Sequence, residues 1–299
     1  MAGSFSAVDL SQVPAPDVIE TVDFEAILAE MLADLQARDP SFTALLESDP
    51  AYKILQVAAY RETLLRQRIN EAGRAVMLAC ATGADLDNLA ALLGVTRLVL
   101  DPGNPDALPP VPPTMESDPD FRRRTTLALE GFSTAGPRGA YLFHAISASP
   151  SVADAGVDSP APGVVRVSVL SRDGDGTASS ALLSAVTSAL NAESVRPLTD
   201  TVQVQTAEVV PYEVQATLYF LSGPDSSVVM ARAEAAIADH VASLRKVGRD
   251  VTLSGIFAAL HQPGVQRVEL AQPLASISIG STQAAVCTAI ALTDGGVDE

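Results

Sequence analysis

The sequence predicts an α+β protein, with an N-terminal all-helical region that contains one long helix, followed by two small α+β subdomains. Three observations favour this class. Helical periodicity continues through the first hundred residues, the apolar period changes to two in the C-terminal half, and a proline-rich segment separates the two patterns. We expect an extended N-terminal arm (1–20), a helical bundle domain (21–100), a proline-rich linker (101–118), a first α+β subdomain (119–211) and a second (212–299).

The composition argues against several classes of protein. A net charge of -17 disfavours binding to nucleic acid or to anionic membranes, because neutralising phosphates requires basic clusters. The one tight basic run, Arg122 to Arg124, is more typical of a solvated helix face or of a salt-bridge donor to a partner. We find no apolar run that could span a bilayer and no pattern of a signal peptide. Because two cysteines form no disulfide framework, a reducing cytoplasm is the simplest compartment.

The first predicted helix runs from about Asp23 to Ala37. Asp23 is its expected N-cap, because a carboxylate at that position accepts hydrogen bonds from the free N–H groups of the first turn. Asp39 and Pro40 end the helix, since the residue before a proline avoids the helical region, and a short helical piece is expected over 42–46. The apolar stripe of the first helix consists of Phe24, Ile27, Leu28, Met31, Leu32 and Leu35.

The long helix is predicted to follow Asp49, with Pro50 at its first position, where proline is well tolerated. No further proline occurs before Ala81, so the helix would be roughly 45–50 Å long at 1.5 Å per residue. Gly83 supplies the left-handed residue that ends it. Asp85 is then the expected N-cap of a short second helix.

Two apolar stripes run along the long helix, with Arg61 and Arg68 between them. Two stripes indicate two neighbours, of which one would be the helix's own domain and the other a second chain. The alternative is the central helix of an ordinary bundle. The first stripe contains Ile54, Ala58, Leu65, Ile69, Ala72, Val76 and Ala79, and the second contains Val57, Tyr60, Leu64, Ala75 and Leu78.

The C-terminal half alternates short helices with half-buried strands. Alternation of Val165, Val167 and Val169 with polar residues, for example, predicts a strand with one buried face. Helices are expected over about 121–130, 140–148, 179–190, 226–244 and 253–261, and strands over about 165–169, 202–206, 214–220, 265–270 and 287–292.

An internal echo links the two predicted subdomains, which divide near Pro211. In each, a short apolar helix is followed by a proline and a strand with the same spacing of apolar residues. An internal duplication would explain the echo, and chance similarity of a short pattern is the alternative. The matching positions are Pro150, Val152, Ala155 and Val157, and Pro263, Val265, Val268 and Leu270.

None of the catalytic or metal-binding patterns that we sought is complete. Aligning Gly176 with the required glycine of a calcium loop puts Leu182 where a bidentate glutamate is needed, so we interpret Asp173–Gly176 as a turn. The three histidines lack metal-ligand spacing, and the serine-hydrolase elbow and the Gly-rich phosphate loops are missing. We expect no catalytic residues, no cofactor, no metal and no small-molecule substrate, and therefore not an enzyme.

Three stretches of the chain carry a family resemblance in combination. They are ESDPAYKILQVAAYRETLLRQRINEAGRAVMLACATGADLDNLAALLGV from Glu47, FRRRTTLALEGFSTAGPRGAYLFHAISASPSV from Phe121 and RPLTDTVQV from Arg196. Together they resemble the baseplate assembly protein J family of contractile-tailed phages. The resemblance extends from about Phe24 to Leu292, and the linker is its least similar part.

This resemblance implies a structural wedge subunit of a contractile-tail baseplate. In such a wedge, two copies of the chain join a smaller tail protein of the protein I type, and six wedges close into a ring around the hub. The ring contacts hub and sheath-proximal baseplate proteins and changes shape when the tail contracts. The implied location is the tail baseplate of the virion, after assembly in the cytoplasm of the bacterial host, without nucleic acid or membrane partners.

The two-striped helix is then the expected partner interface. Which of the two stripes faces the partner and which is buried within the chain is left open. A second hypothesis is the equivalent subunit of a phage-derived contractile injection device, such as a bacteriocin or a secretion system. A third is a soluble enzyme of unknown chemistry, which a pocket with convergent titratable groups would support. The candidate interface residues are Ile54, Ala58, Tyr60, Leu64, Leu65, Ile69, Ala72 and Val76.

Overall fold

The structure is a computed structural model that describes residues 10, 20–42, 45–223 and 225–298. The described residues divide into two compact units, a helical unit that ends at Thr96 and an α+β unit that begins at Arg97. The arm expected over 1–20 lies almost entirely outside the described residues. Within those residues, every helix is too short or too polar to cross a membrane.

The helical unit contains three α-helices, α1 (Phe24–Arg38), α2 (Pro50–Ala75) and α3 (Gly83–Ala91). The first helix and its cap confirm the prediction, because the Asp23 carboxylate accepts hydrogen bonds from the backbone N–H groups of Glu25 and Ala26. The helical piece expected over 42–46 is not found in its described part: a short 3₁₀ helix, Pro40–Phe42, overlaps it at Phe42, residues 45 and 46 are not helical, and residues 43 and 44 lie outside the described residues.

The long helix is shorter than predicted. It ends at Ala75 instead of Ala81, so its 26 residues span about 39 Å. A tight turn replaces the last helical turns, because the Met77 carbonyl accepts hydrogen bonds from the N–H groups of both Cys80 and Ala81. This turn places Ala81 and the α3 residues Leu86 and Ala90 in buried positions. No local signal in the sequence predicts this burial, because it depends on tertiary contacts. Thr82, and not Asp85, is the N-cap of α3.

The proline-rich segment expected as a linker over 101–118 forms an ordered hairpin. Strands β1 (Val99–Asp101) and β2 (Thr114–Met115) pair in antiparallel fashion. Beyond them, Asn104 and Val111 exchange two backbone hydrogen bonds of 2.9 Å each. The expectation of a spacer came from proline content, which limits backbone freedom but does not prevent pairing at positions where an N–H remains.

The basic run Arg122 to Arg124 is not a solvated face, which was one of its two interpretations, and two of its arginines form salt bridges within the chain. It lies on helix α4 (Asp118–Gly131), whose N-cap is Ser117. Arg124 is buried and pairs with buried Glu116 at 2.7 Å, and Arg123 pairs with buried Asp154 at 2.6 Å. Packing of the helix on several sides removes the Arg123 and Arg124 guanidinium groups from water. The carboxylates of Asp154 and Glu116 compensate these charges.

The first α+β subdomain is a three-stranded sheet covered by helices. Its elements are α5 (Arg138–Ser147), β3 (Val152–Ala161), β4 (Val164–Ser171), α6 (Ser180–Leu190) and β5 (Thr201–Thr206). The strand order is β3-β4-β5, in which β4 is antiparallel to β3 and parallel to β5. Its core contains Leu127, Tyr141, Ala145, Val167, Val169, Val186 and Leu190.

The second subdomain has a larger sheet and follows directly. Its elements are β6 (Glu208–Phe220), α7 (Ser226–Leu244), α8 (Leu253–Leu260), β7 (Val265–Gln272) and β8 (Gln283–Val297). The strand order is β7-β6-β8, in which β6 is antiparallel to β7 and parallel to β8. Its core contains Val214, Leu218, Phe220, Ala233, Ile237, Ile256 and Leu260.

The sequence echo falls on equivalent parts of the two sheets. In both, the echoed helix precedes an edge strand that runs antiparallel to the central strand. In the first sheet these are α5 and β3, and in the second they are α8 and β7. In both, the other edge strand is parallel to the centre. The chain order differs, because the antiparallel edge strand precedes the central strand in the first sheet and follows it in the second.

The two sheets are joined by buried contacts and by hydrogen bonds. A single residue, buried Ala207, separates β5 from β6, and it packs with buried Leu170 and Ala284. The Asp154 carboxylate accepts a hydrogen bond of 2.9 Å from the backbone N–H of Val247, while it also pairs with Arg123. The first subdomain is therefore held to the second by an interaction that leaves no carboxylate oxygen of Asp154 without a partner.

Candidate partner interface

Helix α2 packs against α1 through a face that neither predicted stripe contains. Ala59, which is fully buried, lies at its centre, and the absence of a larger side chain allows α1 to approach closely. Tyr52 and Leu55 pack beside it, against Ile27 and Leu28 of α1. This face contains few apolar residues, so the apolar periodicity that would identify it is weak in the sequence.

Farther along α2, the same side is fixed by polar contacts. The Asn70 side-chain amide donates to the Glu20 carbonyl at 2.7 Å, and the Glu20 N–H donates to the Asn70 amide oxygen at 3.3 Å. Arg66 pairs with Glu62 at 2.6 Å, and this hydrogen bond raises the pKa of Arg66. These polar contacts lie on the same side of α2 as Ala59 and hold that side toward its own unit.

Both predicted stripes are consequently exposed over most of their length, whereas Ala75, Leu78 and Ala79 near the C-terminal end are half-buried. The expectation that one of them packs within the helix's own domain is wrong, because the third face takes that place. All eight candidate interface residues are exposed, with exposed fractions of 69% for Ile54, 56% for Tyr60, 39% for Leu64, 65% for Leu65, 61% for Ile69 and 72% for Val76, while Ala58 and Ala72 are also in the exposed class.

The two stripes merge into one surface on the side of α2 away from α1. At 3.6 residues per turn they are adjacent, and together they cover about 180° of the helix circumference, or about 140° without Tyr60 and Leu78. Val57, which the candidate set omitted, is 64% exposed and lies inside this surface. We call the surface the open face of α2 and define it by Ile54, Val57, Ala58, Arg61, Leu64, Leu65, Arg68, Ile69, Ala72 and Val76, with Tyr60 at its margin.

An apolar surface of this kind is typical of a protein interface. Soluble monomers rarely expose large contiguous apolar patches, and those that exist are commonly binding sites. A helix with apolar residues at spacings of three, four and seven can pack along a partner helix or into a groove. The geometry of α2 therefore suits the docking of a helical partner.

The α+β unit contains a cavity but no complete catalytic arrangement among its described residues. The cavity, about 470 Å³ in volume, lies between the two sheets beside Asp154 and Asp158. These carboxylates are already bonded, to Arg123 and to Arg166 respectively, at 2.6 Å each. In the described part of the chain, no group of three His, Cys, Asp or Glu side chains could hold a metal ion.

The segment that resembled a calcium loop closes the connection between β4 and α6. The Ser171 N–H donates to the Gly176 carbonyl at 2.8 Å, and the Asp175 carboxylate accepts from the Thr177 N–H at 2.9 Å. The second of these bonds lowers the pKa of Asp175. The segment has the structure of a turn, which agrees with its interpretation from the sequence.

Comparisons with known proteins cover nearly the whole chain. The models of the Baseplate J-like N-terminal domain, central domain and C-terminal domain match residues 47–104, 133–206 and 212–293. Baseplate protein J of Escherichia phage P2 is 50% identical in an alignment of 299 positions, which covers 98% of this chain and 99% of that protein. A chain in the cryo-EM structure of the anti-feeding prophage baseplate has a TM-score of 0.39 and 16% identity, covering 60% of this chain and 44% of that one.

The open face of α2 lies within the segment that matches the N-terminal domain of the family. The matched segments occupy more than half of the chain, and the identity to the P2 protein extends over almost all of both sequences. The chain therefore belongs to the baseplate J-like protein family.

Proposed function

We propose that this chain is a structural wedge subunit of a contractile phage tail baseplate. In this proposal it assembles with a second copy and with a smaller tail protein of the protein I type, and the wedges form the ring around the hub. The ring transmits the contraction signal to the sheath. Family membership and the relation to baseplate protein J of phage P2 support a baseplate role. The observation that carries the assembly step is the open face of α2.

The open face has enough apolar surface to hold a partner. Seven large apolar side chains of α2 and its cap are exposed. Full burial of one such side chain contributes about 1.5–3 kcal/mol, from which the costs of association must be subtracted. Burial of all seven would contribute roughly 10–20 kcal/mol, so the net affinity depends on how many of them the partner covers.

The α+β unit supports the second part of the proposal, contact with hub and sheath-proximal proteins. Its two sheets are joined by buried residues and by the Asp154 interactions, so the unit can transmit a displacement from one contact to another. The proposed location is the tail baseplate of the virion, after assembly in the cytoplasm of the bacterial host. Antibodies against the chain should label one end of purified tails.

Co-expression with the smaller tail protein tests the proposal. Sedimentation should show a complex with two copies of this chain for each smaller protein. The double substitution L65D/I69D should abolish the complex, because it places carboxylates in the apolar contact. Leu274, which is 79% exposed in the α+β unit, provides the matched control L274D, which should leave the complex intact. An unaffected complex with L65D/I69D would reject α2 as the interface.

A further inference from the structure

We propose that Asp173 forms isoaspartate spontaneously, and that this covalent change releases the contact of Arg245 with the turn between β4 and α6. The reaction needs only the chain and water, so it is independent of the proposed function. Among aspartates, those followed by glycine are the most prone to it, because glycine has no side chain that keeps its backbone nitrogen away from the carboxyl group. The chain contains three such dipeptides, at 173–174, 175–176 and 294–295.

At the first dipeptide, the structure leaves both reacting groups without a partner. Asp173 and Gly174 are exposed at the tip of the turn. The Asp173 carboxylate forms no hydrogen bond or ion pair with any described residue, and the Gly174 N–H has no acceptor among them. A Cβ placed on Gly174 would meet no atom within 4 Å. The Gly174 nitrogen can therefore approach the carboxyl carbon without breaking a contact.

The second dipeptide lies in the same turn and is protected. The Asp175 carboxylate accepts a hydrogen bond of 2.9 Å from the Thr177 N–H. Gly176 is buried, and its N–H donates to the Asp173 carbonyl at 3.4 Å. Reaction at Asp175 requires these contacts to open first, and local opening of a packed segment costs free energy.

The third dipeptide is held in the second sheet. Asp294 lies in β8 and pairs with Leu218 of β6, and its carboxylate accepts a hydrogen bond of 2.7 Å from the Gly296 N–H. A Cβ on Gly295 would lie 2.7 Å from the Tyr219 ring, so the backbone packs closely on that ring. The strand would have to leave the sheet before its backbone nitrogen could turn toward the carboxyl group.

The reaction at Asp173 has two steps and balances without an oxidant. The Gly174 nitrogen bonds to the side-chain carboxyl carbon of Asp173, and the carboxyl hydroxyl leaves with the amide proton as water. Water then adds to one of the two carbonyls of the resulting five-membered ring. Addition at the backbone carbonyl breaks its bond to nitrogen and gives isoaspartate, whose main chain passes through the side chain and is longer by one carbon. Addition at the other carbonyl restores aspartate.

Arg245 depends on the shape of this turn. Its Nη2–H group donates to the carbonyls of Ser171, Arg172 and Gly174 at 3.4, 3.4 and 3.2 Å. The Arg245 Nε is buried and has no hydrogen-bond partner in the described part of the chain. The guanidinium group, at the end of α7 in the second subdomain, is thus held to the first subdomain through these three carbonyls.

An extra main-chain carbon at position 173 separates the carbonyls that Arg245 contacts. Because the Ser171 N–H donates to the Gly176 carbonyl at 2.8 Å, both ends of the turn are fixed and the added length stays inside it. The carbonyls of Arg172 and Gly174 lie on opposite sides of the insertion and move apart. One Nη2–H group then cannot contact both, and the segment 245–248 loses part of its attachment to the first subdomain.

Incubation of the folded chain in water enriched in oxygen-18 measures the reaction at each dipeptide, because every ring that opens takes up one solvent oxygen. Peptide mapping by mass spectrometry locates the label. We expect uptake at Asp173 to be at least about ten times faster than at Asp175 or Asp294. In a chain unfolded in urea, the three rates should agree within about threefold, because the protection of the other two dipeptides is lost. The control D173E should take up almost none at this position, because a glutamate would have to close a larger ring.

Hydrogen exchange over residues 245–248 measures the effect on Arg245. We expect exchange at least about three times faster in the isoaspartate fraction than in the fresh chain. D173E incubated for the same time should keep the slow exchange. R245M should show the fast exchange before incubation and no further increase afterwards, because its contact with the turn is already absent.

Two kinds of result would overturn the proposal. Equal uptake of oxygen-18 at the three dipeptides of the folded chain, or uptake at Asp173 no greater than in D173E, would show that the turn does not favour the reaction. Unchanged exchange over 245–248 in the isoaspartate fraction would show that Arg245 does not depend on the turn.

Discussion

Arg124 and Glu116 form a buried ion pair with two parallel hydrogen bonds. The Arg124 Nε–H donates to Glu116 Oε1 at 3.1 Å, and the Nη2–H donates to Oε2 at 2.7 Å. Both side chains are 5% exposed. Arg97 donates to the Glu116 carbonyl at 2.7 Å, and its guanidinium lies 4.6 Å from the centre of the Phe121 ring. The pair thus ties the proline-rich hairpin to α4.

Removing the carboxylate from this pair should be strongly destabilising. Glu116→Ala leaves the Arg124 charge buried without its partner, and we expect a loss of about 3–5 kcal/mol in the free energy of unfolding. The double variant E116L/R124M should lose much less, because it removes both charges together. Urea unfolding of the α+β unit checks this. Equal losses in the single and the double variant would contradict the role of the pair.

The junction between the two sheets should depend on Asp154. Asp154→Ala removes the partner of Arg123 and the acceptor of the Val247 N–H, so we expect a loss of about 2–4 kcal/mol. Hydrogen exchange at the Val247 amide should become faster than in the wild-type chain. Asp239→Ala, at an exposed position of α7, should change the stability by no more than about 0.5 kcal/mol. Unchanged exchange at Val247 would show that the sheets are joined by other contacts.

The two sides of α2 should respond oppositely to substitution in the free chain. Ala59→Leu forces a larger side chain between α1 and α2, and we expect a cost of about 1–3 kcal/mol. Leu65→Gln, on the open face, should change the stability by no more than about 0.5 kcal/mol, because Leu65 is already exposed. Thermal unfolding followed by circular dichroism tests both. A large loss in Leu65→Gln would mean that the open face is covered in solution.

Acidification should weaken the second subdomain through His240. Burial, with the charge of Arg249 as a smaller cause, lowers the pKa of His240 below its usual 6.5. The unfolded chain therefore binds this proton more readily than the folded chain. The contribution of neutral His240 to the free energy of unfolding is fully present above the pKa of this histidine in the unfolded chain. It is lost as the pH falls from there toward its pKa in the folded chain.

The variant H240Q should reduce this pH dependence. We expect a smaller drop in melting temperature between about pH 7.5 and 5.5 than in the wild-type chain. His144, whose burial also lowers its pKa, remains in the variant, so part of the dependence should persist. His261→Gln, at an exposed position, is the control and should leave the drop unchanged. An unchanged drop in H240Q would contradict the prediction.

Local signals in the sequence identified most helices and strands. The cap at Asp23 agrees with the prediction, because capping depends on hydrogen bonds within a few residues. The proline at the start of α2 also agrees, although the Asp49 side chain makes no capping hydrogen bond there. The predicted span of α7, 226–244, agrees with the structure, and alternation located β4 and β6. The eight candidate interface residues all lie on the exposed surface of α2, and their role as a contact stays a prediction.

Contacts between distant residues decided the rest. Ala59 gives no strong apolar signal, yet it determines which side of α2 packs on α1. The sequence places Arg124 in a basic run that is typical of a solvated face. Its burial depends on Glu116 at the end of the hairpin, whose carboxylate offsets the cost of removing the Arg124 charge from water. The sequence by itself determined where helices and strands form and which residues are apolar. The tertiary structure decided which faces leave water and which charges meet, because burial and ion pairing depend on neighbours far away in the chain.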